Sequence, residues 1–226
     1  AELLARQAFE NVLTAIDAGA DAVYFGGKGF NARKFAHNLD DAEIGQAVRT
    51  AHLFGVKVYV TVNILMADTE LEALSAYLQR LDSFGVDGII VQDLAVAALA
   101  RKVAPDLPLH GSTQMLGDLD GVRFLEANGF TQAVLSRELS AQEIRFIASQ
   151  SSIPIEVFIH GASCMAYSGQ CLMSMFLGGR SGNRGACASP AVSLIRCSAM
   201  ANLHETRGYV LSLKDLKSLD YIDDLL

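Results

Sequence analysis

Four cysteines crowd one stretch of this sequence, from Cys164 to Cys197, and no cysteine precedes them. The gaps from Cys164 to Cys171, Cys187 and Cys197 are six, fifteen and nine intervening residues, unlike the pairs two to four residues apart that bind structural zinc. Four thiolates are what an iron–sulfur cluster of the 4Fe–4S type requires, because soft sulfur ligands hold iron at the corners of a cube. Two other readings stay open on the residues alone. The thiols are buried and unliganded, or one is a nucleophile with His160 as its base. His160 suits proton transfer because an unperturbed imidazole titrates near neutrality.

Between the second and third cysteines runs a glycine-rich stretch, residues 178–185, carrying Arg180 and Arg184. It lacks the Lys-Ser/Thr of a P-loop. Its charges suit an anionic cluster or a nucleic-acid phosphate, and the plain alternative is a surface loop. A second set of polar residues follows the apolar runs: Asn31, Arg33, Asn63, Gln92, Asp93, Ser112, Gln114, Ser136, Arg137, Glu138 and His160. Amides and arginine outnumber carboxylates, which suits binding of a planar polar molecule or an anion better than paired-carboxylate hydrolysis. Asn31, Arg33, Asn63, Gln92, Gln114, Arg180 and Arg184 are the candidate substrate-binding residues. Arg137, Glu138 and His160 are the candidate catalytic ones.

The elements that must position these residues follow a repeated order of helix, glycine, then apolar strand. Asp40 and Glu43 form a capping box ahead of Ile44, Ala47, Val48 and Ala51 at helical spacing, and Ser140 with Glu143 forms another. Leu71, Leu74, Leu78 and Leu81 make an apolar stripe closed by Gly85. Strands are expected at 3–5, 22–25, 57–62, 88–91, 107–110, 133–135, 156–159 and 209–211. Most are apolar runs, the pattern of strands buried on both faces. Their alternation with helices predicts an α/β chain: a TIM-like (β/α) barrel of mostly parallel strands, barely complete or incomplete at the C-terminus. The cysteines then fall in an insertion after the seventh strand. Residues 1–226 read as one barrel-like domain, with the cluster region at 160–200. In such a barrel the ends of the strands face the chemistry.

Composition narrows the function classes. A hydrophobic fraction of 51% with 19% charged residues is too apolar for a disordered chain. The longest apolar run, residues 94–100, is far short of the roughly 20 residues of a membrane span. No basic, then apolar, leader is visible, so the expected compartment is the cytoplasm, where clustered cysteines read as metal-binding or catalytic. Eighteen cations against 25 anions give a net charge of −7, so nucleic acid is not attracted by the total charge. A local basic patch would have to do it.

At Glu156, Phe158, Gly161, Ala162, Cys164, Gly169, Cys171, Met173 and Ser174 the sequence resembles the signature of peptidase family U32, the collagenase-like peptidases, with Ser163 where an aliphatic residue is usual. Stretches 19–26, 58–63, 91–93, 112–114, 135–139 and 180–184 are also similar to the family. The resemblance implies a barrel-like catalytic domain and one of two activities. Some relatives degrade collagen. Others are iron–sulfur proteins that hydroxylate, without molecular oxygen, a tRNA wobble uridine, a ribosomal RNA cytidine or a ubiquinone precursor, with prephenate as hydroxyl source in the tRNA case. The clustered thiols and the absence of a protease constellation favour the hydroxylase, with a collagenase-like peptidase using a cysteine or bound metal as the alternative. Cys164, Cys171 and Cys187 then hold the cluster. Ala191 stands where relatives usually carry a further cysteine, which leaves Cys197 as the fourth ligand. The expected partners are RNA or a small ring-shaped substrate, with a protein partner or second copy of the chain.

Overall fold

A helix begins where its first free amides find an acceptor, and two capping boxes decide this for two helices. The Asp40 side chain accepts from the Glu43 amide at 3.0 Å while the Glu43 carboxylate accepts from the Asp40 amide at 2.8 Å, which starts α2 (Asp41–Leu53). Ser140 and Glu143 start α6 (Ala141–Gln150) in the same way. In the computed structural model, which describes residues 2–4, 8–115, 117–193, 195–199 and 202–224, these helices alternate with strands. The series is β1 (Glu2–Leu4), α1 (Ala8–Asp17), β2 (Ala22–Gly26), α2, β3 (Lys57–Val62), α3 (Leu71–Phe84), β4 (Gly88–Val91), α4 (Leu94–Val103), β5 (Leu109–Gly111), α5 (Leu119–Ala127), β6 (Gln132–Val134), α6 and β7 (Ile155–Glu156).

The seven strands form one parallel sheet in chain order. Strand, helix and next strand in line is the TIM-like arrangement the repeat predicts. The sheet curls: the Tyr24 ring on β2 meets Phe158, just past β7, edge to face at 6.5 Å between centroids. Among the described residues it does not close, since β1 pairs only with β2 and β7 only with β6. The expected eighth strand at 209–211 is instead a turn, closed by the Ser212 amide donating to the Tyr209 carbonyl at 2.9 Å. It follows an antiparallel pair, β9 (Ile195–Ala199) with β10 (Asn202–Gly208), that lies apart from the main sheet.

The core sits between the sheet's outer face and the helices. Val23, Phe25, Val58, Val60, Val62, Ile89, Val91, Leu109, Ala133 and Leu135 meet the helical stripes, including Leu74, Leu78 and Leu81. Each such buried Val, Leu, Ile or Phe side chain contributes about 1.5–3 kcal/mol. The strands are not apolar on both faces as expected. Tyr24, Tyr59 and Ile90 lie on the inner face, and parallel register adds His110 beside Ile90, Gln132 beside His110, and Glu156 beside Val134. This inner face is partly polar.

After β7 the chain leaves the sheet. β8 (His160–Gly161) pairs antiparallel with β11 (Leu216–Lys217), and one short helix, α7 (Met173–Gly178), precedes a turn at Gly182–Arg184. No described helix is long and apolar enough to cross a membrane.

Candidate functional site

The C-terminal ends of the strands form a mouth, and the first finding there concerns the amides. Asn31 is buried; its Oδ1 accepts from the Arg33 amide at 2.8 Å and its Nδ2 donates to the Gly27 carbonyl. Asn63 Oδ1 accepts from the Ala32 amide at 2.9 Å. Both therefore fasten the loop between β2 and α2. Asp93 caps α4 and also accepts from the Met66 amide at 2.8 Å. Gln114 Oε1 accepts from Ser112 Oγ at 3.0 Å. Gln92 differs, because its Oε1 is buried without a partner. A buried acceptor left unpaired is costly, so Gln92 is the amide best placed to meet a ligand donor.

Arg137 and Glu138 receive the segment that follows β7. The Arg137 guanidinium lies 4.5 Å over the Phe158 ring and Nη1 donates to the Ala162 carbonyl, while Nε is buried without a partner. Glu138 Oε1 accepts from the Ser168 amide at 3.0 Å and from its hydroxyl at 3.3 Å. Cys164 thus sits between two fastened points. Beside Arg137 opens a cavity of about 290 Å³, lined also by Ser136, Phe158 and Leu216. His160 is exposed, with its backbone held in the β8–β11 pair.

Two glycines fit the segment onto the scaffold. Gly169, at φ +75°, would place a Cβ 2.9 Å from the Gln114 Cβ, and Gly185, at φ +75°, would drive one into the Asn31 carbonyl oxygen. Only glycine allows both the left-handed backbone and the approach. The Lys34 amide donates to the Gly185 carbonyl at 3.0 Å and the Leu65 amide to the Asn183 carbonyl at 3.0 Å. Arg184 completes the attachment, with Nη1 donating to the Leu65 carbonyl at 2.8 Å and Nη2 paired with Glu70 at 2.7 Å. The guanidinium holds the Glu70 carboxyl below its ordinary pKa, helped by the Ala67 amide. Arg180 instead lies exposed, 6.0 Å over the Phe35 ring, and Arg33 is exposed.

Cys164, Cys171 and Cys187 are free thiols, two exposed and one half-buried. Cys171 and Cys187 border one glycine: a Cβ on Gly182 would lie 3.6 Å from the Cys187 Cβ and 3.8 Å from the Cys171 carbonyl oxygen. Cys187 Sγ accepts from the Ser189 amide at 3.3 Å. Cys197 falls in β9, but its side chain lies outside the described residues. As a test of cluster binding, the donors are of the right kind, and the Cys171 backbone lies near the Cys187 side chain. However, no three His, Cys, Asp or Glu among the described residues group to hold a metal ion.

The polar inner face escaped the sequence reading. Gln132 Nε2 donates to Glu156 Oε2 at 2.5 Å. His110 is buried against Tyr59, 4.5 Å between ring centroids, with Nδ1 unpartnered. Burial, then the Lys57 charge, pushes its pKa down to about 4, so the ring is neutral at pH 7. The alternation of Tyr59 and Thr61 with Val58, Val60 and Val62 was the available signal.

Comparison with known proteins follows the same outline. A family model, Peptidase family U32, matches residues 7–226. The chain is 37% identical over 231 residues to tRNA hydroxylation protein P1 of Bacillus subtilis, covering 96% of this chain and 53% of that protein. It is 42% identical over 201 residues to the 23S rRNA 5-hydroxycytidine C2501 synthase of Escherichia coli, covering 88% of this chain and 29% of that protein. A Porphyromonas gingivalis protein named collagenase is 30% identical, covering 96% of this chain and 56% of that one. The chain thus spans about half or less of these relatives' lengths. Among solved structures, the U32 peptidase Mk0906 superimposes with a TM-score of 0.61 at 16% identity, covering 72% of this chain and 69% of that one, which speaks to the fold.

Proposed function

The chain belongs to peptidase family U32, and from that premise we propose that it hydroxylates a base of tRNA or ribosomal RNA without molecular oxygen. The observation that carries this reading is the route of the cysteine-bearing segment. The segment is held against the loops that follow β2, β3, β5 and β6, through Gly185, Arg184, Gly169, Glu138 and Arg137. A reactive group on the segment and a substrate in the mouth would therefore meet.

In this proposal Cys164, Cys171, Cys187 and Cys197 hold a 4Fe–4S cluster. When bound, such a cluster supplies one-electron chemistry. The chain's own residues bind and orient. Gln92 Oε1 accepts a donor on the base edge. Arg137, through Nε, takes an anionic group in the adjoining cavity, and a carboxylate such as that of prephenate, the proposed hydroxyl donor, has the required charge. His160 is the candidate proton carrier, and an RNA substrate places the work in the cytoplasm.

The test is anaerobic purification with iron and sulfide assays, followed by mass spectrometry of tRNA and rRNA from cells with and without the gene. The expected result is a coloured protein and one added oxygen on a base, both lost in Cys171→Ser. A colourless protein without iron, or RNA identical in both cells, overturns the reading. A peptidase using Cys164 is the rival suggested by the collagenase relative, but no histidine pairs with a thiol among the described residues. Gelatin hydrolysis that survives iron removal and disappears in Cys164→Ser would replace the hydroxylase reading.

A further inference from the structure

The 25 acidic residues are not spread evenly. Residues 27–39 and 157–204 contain none, and the first stretch carries Lys28, Arg33 and Lys34. The fold brings the two stretches together. Lys34 donates its amide to Gly185, Gly185 seats against Asn31, and Arg180 extends over Phe35. Two carboxylates beside this surface are paired with cations: Glu70 with Arg184, and Asp40 with Lys28 at 3.1 Å. A chain that repels polyanions on average therefore presents a cationic surface at the rim of its mouth.

At its centre stands Phe35, 66% exposed. Water-exposed phenylalanine beside Arg180 and Lys34 is the combination that binds unpaired nucleotides, the ring stacking on a base while the cations meet phosphates. Paired RNA offers no free base face. Resting on the RNA reading above, we propose that Phe35 and Arg180, with Lys34 beside them, form a docking platform for an unpaired loop of the RNA substrate. Arg184, whose guanidinium is committed to Leu65 and Glu70, holds the platform together and is not part of its contact surface.

Fluorescence anisotropy with a hairpin RNA bearing an unpaired loop, and with a fully paired duplex of equal length, tests this. The hairpin should bind more tightly. Phe35→Ala should weaken it roughly tenfold, while Phe35→Tyr keeps the ring and the affinity. Lys34→Ala and Arg180→Ala should each reduce the salt slope by about 0.7, the share of one phosphate on a single strand. Lys102→Ala, on the last turn of α4 and away from the mouth, should change nothing. If hairpin and duplex bind alike and Phe35→Ala matches the parent, the platform is overturned while the RNA reading stands. If the parent chain binds neither RNA at low salt, both fall.

Discussion

The scaffold up to Glu156 and the segment after it are built on opposite terms. Among the described residues the buried apolar cluster, from Val12 to Ile147, belongs to the scaffold, and the scaffold's shape follows from burial. The segment from 157 to 193 leaves Met165, Tyr167, Leu172, Met175, Phe176 and Leu177 exposed and has no acidic residue. Beyond Val157 and Phe158, which pack on the scaffold, its position comes from hydrogen bonds and two glycine contacts with the scaffold's loops. Where burial sets the geometry, single truncations cost the whole fold. Where a few attachments set it, they release one segment and leave the rest standing.

The largest test of that contrast is Leu78→Ala in α3. The side chain is fully buried, so about 2–5 kcal/mol of stability should disappear and the urea midpoint should fall for scaffold and segment together. A segment that stays structured after the scaffold has unfolded would break the comparison.

Next is the inner face. The His110 pKa stands at about 4 in the fold against an ordinary 6.5. As pH falls, the unfolded chain takes up that proton first, so stability declines from pH 6.5 to about 4, by roughly 3 kcal/mol. His110→Gln should flatten the urea midpoint across this window. An unchanged slope would assign the acid sensitivity elsewhere.

Gly185→Ala addresses the attachment alone. Its left-handed backbone and the approach to Asn31 should cost about 1–3 kcal/mol locally. Limited proteolysis should then cut within 157–193 before any change in the scaffold's thermal midpoint. Phe176→Ser is the smallest. At 83% exposure, it should move stability by less than about 0.5 kcal/mol, and a larger loss would mean that α7 is buried against something in solution.

The scaffold was largely legible in the sequence because its signals are local. The capping boxes at Asp40 and Ser140, the stripe through Leu74, Leu78 and Leu81, and the strands Lys57–Val62 and Gly88–Val91 all stand where the pattern put them. The site was less legible because the groups that meet there are far apart along the chain. Nothing near Asn31 or Asn63 in sequence distinguishes an amide that fastens a loop from one that meets a ligand. Arg180 and Arg184 lie in one glycine-rich stretch, yet one is exposed over Phe35 and the other is committed to Leu65 and Glu70. His110 escaped because β5 spans three residues, too few for a period of two to emerge.

The Arg184 attachment also has a meaning in time. It joins residues 119 and 114 positions apart, and contacts between such distant residues close after local ones, since the entropy of the intervening loop must be met first. Strands and helices up to Glu156 can therefore assemble while the cysteine-bearing segment still trails as a tether. Its thiols should meet the surrounding solution during that interval, and the latch on Leu65 and Glu70 is expected to close late in folding.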